Sequence, residues 1–506
     1  MKRKKVALAL ISSIMATTVM GNPVLANAET NDDIVEIFWQ YPAANEVGEG
    51  FYRMEDALNE MMEKDIGVHV TFVPTDLTKS QQDATLMVSS GEQLDVSLTA
   101  FTSIGNLVES GLILPLDDYM DQYGQDIVSH CGTKLDGCYY DGKLYSLPTC
   151  ADQQFNTYGY VMKKEYCDKY GFEQDDNKLY TMEDLEKMFE VVKAGEGDNF
   201  YMTTPWNNTY EPLNYSYQEY DPVTGSFSGG VLMLNRSFDD LTLYDYFETD
   251  EYKQYCEMMY DWAQKGYIAA DASVDTDYSN RAMESNYLGT FGYAAPASDM
   301  LSNNSSWGQD TVMFRTVDGF IKLNGGCTVN WNIPVTSAHP EKAVEAINYI
   351  YKNTDAATLI QYGFEGEEYE VVEDDGEHQV IKYLADDVNQ LPYNNVYGLW
   401  GDRFQIPAVY PSTIDHGQRL LDYQNSISED RYSPALGYSF KSDSVSSEIA
   451  AVETVMEQYC YSFNAGALDP ESALPEFIDA LKAAGIDKVI EANQEQLDAW
   501  AAAKAE

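Results

Sequence analysis

Apolar residues near the start of the chain alternate between two spacings, the short period of a strand and the longer period of a helix. Ile34, Val35, Ile37, Phe38 and Trp39 predict a first strand, ending in a polar and aromatic loop over residues 40–45. Residues 51–64 place apolar side chains at 51, 54, 57, 58, 61 and 62, the spacing of one helix face. Residues 67–72 predict a second strand, and residues 80–90 a helix stopped by Gly91. Residues 94–98 predict a third strand, followed by a loop over 99–103. Strand, helix, strand, helix, strand implies a mainly parallel sheet with right-handed crossovers. Open sheets of that kind bind ligands at loops leaving the carboxyl ends of their strands. Here those loops carry Trp39, Gln40, Tyr41 and Phe101.

Residues 141–165 change the pattern. Asp141-Gly142 is a turn dipeptide, and Lys143, Leu144 and Tyr145 leave it as a strand that Leu147-Pro148 breaks. A polar corner with one acid, Asp152, precedes a new strand at 158–162 and a helix opened by Lys163-Lys164-Glu165. Such a segment can carry the chain out of one lobe into another, or serve as an ordinary connection within one domain. Beyond it, residues 181–193 and 249–265 have amphipathic spacing, and residues 201–220 are dense in Trp, Tyr and Asn. Residues 311–314 are expected to cross back, residues 325–334 to re-enter the first lobe, and residues 384–397 to make a third crossing. The last 60 or so residues are helical. Ser444 is placed as the cap of a helix reaching Phe463, Asp469-Pro470 opens a second, and Gly485 separates it from a third.

A chain of 506 residues is too long for one core. Lys2, Arg3, Lys4 and Lys5, the apolar run 6–20 and Ala26-Asn27-Ala28 have the form of a cleaved export signal ending at residue 28. No later stretch is long and apolar enough to span a bilayer. The expected address is extracellular or at the cell surface. No cysteine precedes Cys131, so no lipidation site follows the signal. The net charge of −52 disfavours nucleic acid and anionic membrane as partners, because both are held by clustered Lys and Arg. The seven cysteines form no Cys-x-x-Cys pair, which disfavours a zinc or thioredoxin-like site. Cys131 and Cys138 could close a short loop, and buried thiols are an equal alternative.

Several segments resemble the extracellular solute-binding proteins of ABC importers, in particular the oligosaccharide (maltose-type) binders. They are Ile37-Phe38-Trp39, the Ser89-Ser90-Gly91-Glu92 run with Asp95-Val96, and Val108 through Asp117. Gly142-Lys143-Leu144-Tyr145 with Leu147-Pro148, and Ser337 through Ala343, complete the series. Residues 444–500 are similar to a helical extension found in a lipoprotein-like subset of that family. The resemblance implies an α/β, two-lobed type II periplasmic-binding-protein fold with mainly parallel sheets and a helical C-terminal extension. The expected parts are a signal peptide (1–28), lobe 1 (29–155 with 316–390), lobe 2 (156–315 with 391–443) and an extension on lobe 2 (444–506). It also implies capture of a carbohydrate, most simply an oligosaccharide, between the lobes by a monomer, and delivery to membrane permease subunits. The alternatives are a secreted adhesin or scaffold that keeps the fold, and a peptide-binding importer component.

A sugar offers apolar C–H faces to aromatic rings and hydroxyl edges to polar side chains. Polar-flanked tryptophans are therefore the expected platforms: Trp39, Trp206 with Asn207, Trp331 and Trp400. Gln40, Tyr41, Phe101, Tyr293, Tyr397 and Arg403 complete the aromatic and polar set. The resemblance puts an acidic ligand-binding residue at Asp152. Metalloprotease, nucleophile-elbow and phosphate-loop motifs are missing, and the five histidines are dispersed, so no catalytic residue, metal or cofactor is expected. Asp271, Asp275 and Asp277 lack the Gly and terminal Glu of an EF-hand loop and read as a surface loop.

Overall fold

β1 (Val35–Pro42) continues three residues beyond Trp39, because Ile37, Trp39 and Tyr41 share one inward phase of the strand. The computed structural model describes residues 34–504 apart from 45, 101–103, 153–154, 176, 206–220, 224–231, 235–237, 276–280, 294–309, 326 and 386. Helix α1 (Glu49–Ile66) buries Phe51, Met54, Leu58 and Met62 and ends at Gly67, whose φ of 65° suits glycine. Each such side chain stabilises the lobe by about 1.5–3 kcal/mol. The chain then enters β2 (Val68–Thr75), parallel to β1 from the Val35–Val68 pair to the Pro42–Thr75 pair. Helix α2 (Ser80–Ser90) leads to β3 (Ser97–Ala100), and a parallel bridge from Trp39 to Val96 brings this segment beside β1. A two-rung hairpin, Tyr139–Tyr140 on Lys143–Leu144, turns at Asp141 and Gly142, both with positive φ. The strands β4 (Ser146–Pro148) and β5 (Cys150–Ala151) follow it.

The chain leaves the first lobe after Asp152. In the second lobe β6 (Asn156–Lys163) is the central strand of an antiparallel sheet. Helix α3 (Met182–Glu196) starts with a capping box in which Thr181 and Asp184 satisfy each other's backbone N–H groups. Helix α4 (Asp250–Gln264) is capped by Thr249. β7 (Gly289–Tyr293) and β8 (Thr311–Phe320) flank β6 on its two sides. Residues 311–314 therefore belong to the second sheet, and the crossing expected there falls after Phe320.

Back in the first lobe, β9 (Val329–Asn332) pairs with both β3 and β4. Helices α5 (Pro340–Lys352) and α6 (Thr354–Tyr362) cover this sheet. Residues 391–409 also stay here. Tyr393, Trp400 and Ile406 join the first core, and β10 (Gly401–Asp402) pairs in parallel with β5. The last crossing thus follows Val409 rather than falling at 384–397. Helix α7 (His416–Ser426) packs Leu420 and Tyr423 beside Phe155, Ile321 and Ile427, residues of the crossing segments.

Helices α8 (Ser446–Asn464), α9 (Pro470–Ala484) and α10 (Ile486–Lys504) form the C-terminal region. Ser444 lies in a 3₁₀ turn just ahead of α8 rather than at its cap. Val452, Met456, Phe463, Phe477 and Leu481 belong to the same core as Tyr252, Tyr255 and Trp262 of α4. Tyr255 donates to Asn464 Oδ1 at 2.9 Å. This region completes the core of the second lobe.

Candidate functional site

The residues proposed as sugar platforms divide into two groups. Trp39, Tyr41, Trp331 and Trp400 are core. Each is 1–3% exposed, and the rings touch one another. Trp400 lies 5.4 Å from Trp39, 5.0 Å from Trp331 and 5.7 Å from Phe72, and it stacks on Tyr41 at 5.6 Å. No face of these rings is open for a sugar to stack on, which corrects the expectation for all four. Gln40 is equally enclosed. Its amide donates to Ser80 O at 3.0 Å and accepts from Leu98 N at 2.8 Å, tying α2 and β3 to β1.

The polar flanks of Trp331 find their partners inside the lobe. Asn332 donates to Thr99 Oγ1 at 2.6 Å and accepts from Ser146, so it is satisfied inside the sheet. Asn330 accepts from Cys138 and Cys327. The indole N–H groups of Trp39 and Trp400 have no acceptor among the described residues. Phe101, Trp206 and Asn207 lie outside those residues, as does the side chain of Tyr293.

Asp152 and Arg403 are brought together at the first crossing. β5 and β10 run in parallel, with Gly401 opposite Cys150 and Asp402 opposite Ala151. Asp152 and Arg403 are the next residues on each strand, and Arg403 N donates to Ala151 O at 2.8 Å. The pair therefore stands at the carboxyl ends of two parallel strands, where the chain leaves the first lobe. Asp152 is one of the charges acting on Arg403. Arg403 is exposed and also donates to Gly398 O at 3.3 Å. Tyr397 is half-buried just upstream, with Asp76, in the loop after β2, among the charges around it.

The support beneath this pair was not legible in the sequence. Lys134 is 4% exposed, donates to Cys150 O at 3.1 Å and ion-pairs with Asp152. Burial alone would lower the pKa of its ammonium, but the charge of Asp152 outweighs that and keeps it protonated. Asp402 accepts from Phe404 N at 2.9 Å and pairs with His130 Nδ1 at 2.6 Å. Gly401 has φ of 66°, and a Cβ there would meet Ile350 O at 2.6 Å, so only glycine fits. A lone Lys in a 3₁₀ turn between Cys131 and Cys138 carries no sequence signal for burial.

A second polar node joins the other crossings. Asp318 of β8 accepts from Tyr423 of α7 at 2.8 Å and from Arg315 at 2.7 Å. Arg431 donates to Gly319 O at 2.6 Å. Burial opposes the Asp318 charge, but these donors and guanidinium groups outweigh it and hold the carboxyl below the usual range. The Asp271 and Asp275 run is bound by Arg281, at 3.2 and 2.9 Å, so a guanidinium occupies the place a cation would take. Asp277 lies outside the described residues.

Comparison with known proteins gives a consistent picture. The profile of a family described as bacterial extracellular solute-binding protein matches residues 57–365, and a domain of unknown function, DUF3502, matches residues 434–502. A carbohydrate ABC transporter substrate-binding protein of Streptococcus pneumoniae serotype 4 is 24% identical over 453 residues, spanning 87% of this chain and 86% of that one. The crystal structure of the N-glycan transport solute binding protein NgtS from Streptococcus pneumoniae is similar, with TM-score 0.80 and 19% identity over 93% of this chain and 99% of that chain. The same protein in complex with Man5GlcNAc gives 0.68 at 20% identity, with the same two coverages. An extracellular solute-binding protein from Bifidobacterium longum subsp. infantis gives 0.63 at 14% identity, over 92% of this chain and 98% of that one.

Proposed function

This chain belongs to the bacterial extracellular solute-binding proteins, and from that premise we propose that it is the carbohydrate-capturing component of an ABC importer. It holds an oligosaccharide between its two lobes and delivers it to membrane permease subunits. It binds its ligand and carries out no catalysis. We place the protein outside the cytoplasmic membrane, exported by the signal at residues 1–28, and working as a monomer.

The observation that carries the site is the Asp152–Arg403 pair at the carboxyl ends of β5 and β10, on the crossing between the lobes. A carboxylate and a guanidinium there can accept from and donate to neighbouring sugar hydroxyls. Tyr397, in the loop ahead of Arg403, is the proposed aromatic contact. Phe101, Trp206, Asn207 and Tyr293 remain proposed contacts on the strength of the sequence alone.

Isothermal titration against a panel of neutral oligosaccharides tests the proposal. Binding of one glycan class is expected, weakened about tenfold or more by Arg403→Gln with the melting temperature unchanged. Binding of peptides with silence toward every glycan would refute the carbohydrate assignment. Unchanged glycan affinity in Arg403→Gln would refute the site.

A further inference from the structure

All seven cysteines are buried thiols, and four of them gather in the first lobe around Lys134. Cys131, Cys138, Cys150 and Cys327 are each 0–5% exposed. Two of the four are distinguished by geometry. Cys138 Sγ and Cys327 Sγ are 3.3 Å apart, although 189 positions separate them in the chain. Both thiols point at one acceptor, Asn330 Oδ1. The other two are directed elsewhere: Cys131 donates to Tyr351 Oη at 3.4 Å, and Cys150 to Gly398 O at 3.3 Å. The Cys131–Cys138 loop closure considered from spacing alone therefore gives way to a long-range pair.

The backbone holds the two thiols together. Cys138 ends the 3₁₀ turn Gly132–Cys138, and Cys327 lies on the segment that returns from the second lobe to β9. These segments meet main chain to main chain. A Cβ on Gly137 would sit 2.1 Å from Asn324 O, and one on Gly325 2.5 Å from Thr133 O. Two glycines allow a contact closer than any side chain would permit, so the thiols cannot drift apart without the returning segment lifting off its seat.

We infer that Cys138 and Cys327 form a disulfide that fastens the lobe-1 root of the second crossing. The bond needs the sulfurs to approach to about 2.05 Å, a small displacement from their present separation. The chemistry is thiol–disulfide exchange with an oxidised dithiol. One cysteine thiolate attacks the donor disulfide, forming a mixed disulfide and releasing one donor thiol. The second thiolate then displaces the other donor thiol, so two protein thiols are oxidised while one donor disulfide is reduced. Burial pushes the Cys138 thiol well up, so exchange is slow once the lobe has closed over it and belongs to the folding step. Cys327 lies on the lobe-1 side of the crossing, so the bond ties the linker to one lobe and leaves Ile321–Leu323 able to bend.

The test is alkylation of the full chain after refolding in a glutathione/glutathione-disulfide buffer. Denaturation in iodoacetamide, intact mass and a non-reduced peptide map read the outcome. Five alkylated cysteines are expected, two fewer than the seven in the chain, with a linked Cys138–Cys327 peptide. Reduction should lower the melting temperature by about 5 °C, an effect absent in Cys138→Ala/Cys327→Ala. Cys131→Ala keeps both partners and should yield the same linked peptide with four alkylated cysteines. Seven alkylated cysteines, or a linked peptide between any other pair, would overturn the inference.

Discussion

Trp400→Ala distinguishes a core ring from a ligand platform. The side chain is 1% exposed and contacts Trp39, Tyr41, Phe72 and Trp331, with centroids 5.0 to 5.7 Å away. Truncation removes an indole from the centre of this group and leaves a void that four rigid rings cannot collapse into. Burial of the ring and the residual cavity together set a cost of about 3–5 kcal/mol. For a lobe of this size that corresponds to a fall of about 10 °C in the lobe-1 melting transition. Differential scanning calorimetry reads this directly, since the second core shares none of these residues and its transition should stay in place. Urea unfolding followed by far-UV circular dichroism should show a lower midpoint with an unchanged slope. A loss under about 1 kcal/mol, with a large loss of glycan affinity, would refute the core assignment and restore Trp400 as a platform.

Asp152→Asn strips the buried Lys134 ammonium of its counter-ion and should cost about 3–5 kcal/mol by urea midpoint, while Lys134→Met added to it should recover most of that loss. Asp221 is buried at the second and third crossings and its carboxyl is raised to about 7 by burial, against the opposing pull of Ser433 and Leu323 N–H. Its folded pKa exceeds its unfolded one, so its protonated form favours the fold, and this contribution declines as pH rises from about 4 to 7, at up to about 1.4 kcal/mol per pH unit. Asp221→Asn should accordingly gain stability over the parent on going from pH 5 to pH 8, measured by chemical unfolding; a pH-independent difference would contradict the burial cause. Gly466→Ala should loosen α8 and α9 from α4, because φ is 65° there and a Cβ would meet Met259 O at 2.1 Å; hydrogen exchange in α4 should rise with it.

The elements with strong periodicity were legible from sequence. Residues 51–64, 181–193 and 249–265 are helices with the apolar faces their spacing implied, and Asp469-Pro470 and Gly485 bound α9 as capping chemistry requires. Long-range closure was not legible. Nothing local shows that β1 extends through Tyr41, that β8 runs on to Phe320, or that residues 391–409 return to the first core. Each depends on a partner strand or core far away in the chain. The candidate site failed in a related way. Asn beside Trp suggests solvent, yet Asn330 and Asn332 are satisfied inside the sheet, and the tryptophan between them is core. Asp152 and Arg403 were singled out separately, and only the parallel pairing of β5 with β10 shows that they are neighbours.

The cluster of Trp39, Trp331 and Trp400 also gives the first lobe an optical signature of its own. Three indoles packed at 5.0 to 5.4 Å couple their transition dipoles, since that coupling falls with the inverse cube of distance. Such a trio absorbs and rotates light as one chromophore, and energy taken up by any ring is shared with the others. Among the described residues, Trp262 is the one tryptophan of the second core, packed on Phe189, and Trp500 lies near the end of the chain beside Tyr438. The dichroic contribution of this trio should therefore track the integrity of the first lobe. The first lobe can thus be watched during unfolding or ligand capture without an added label.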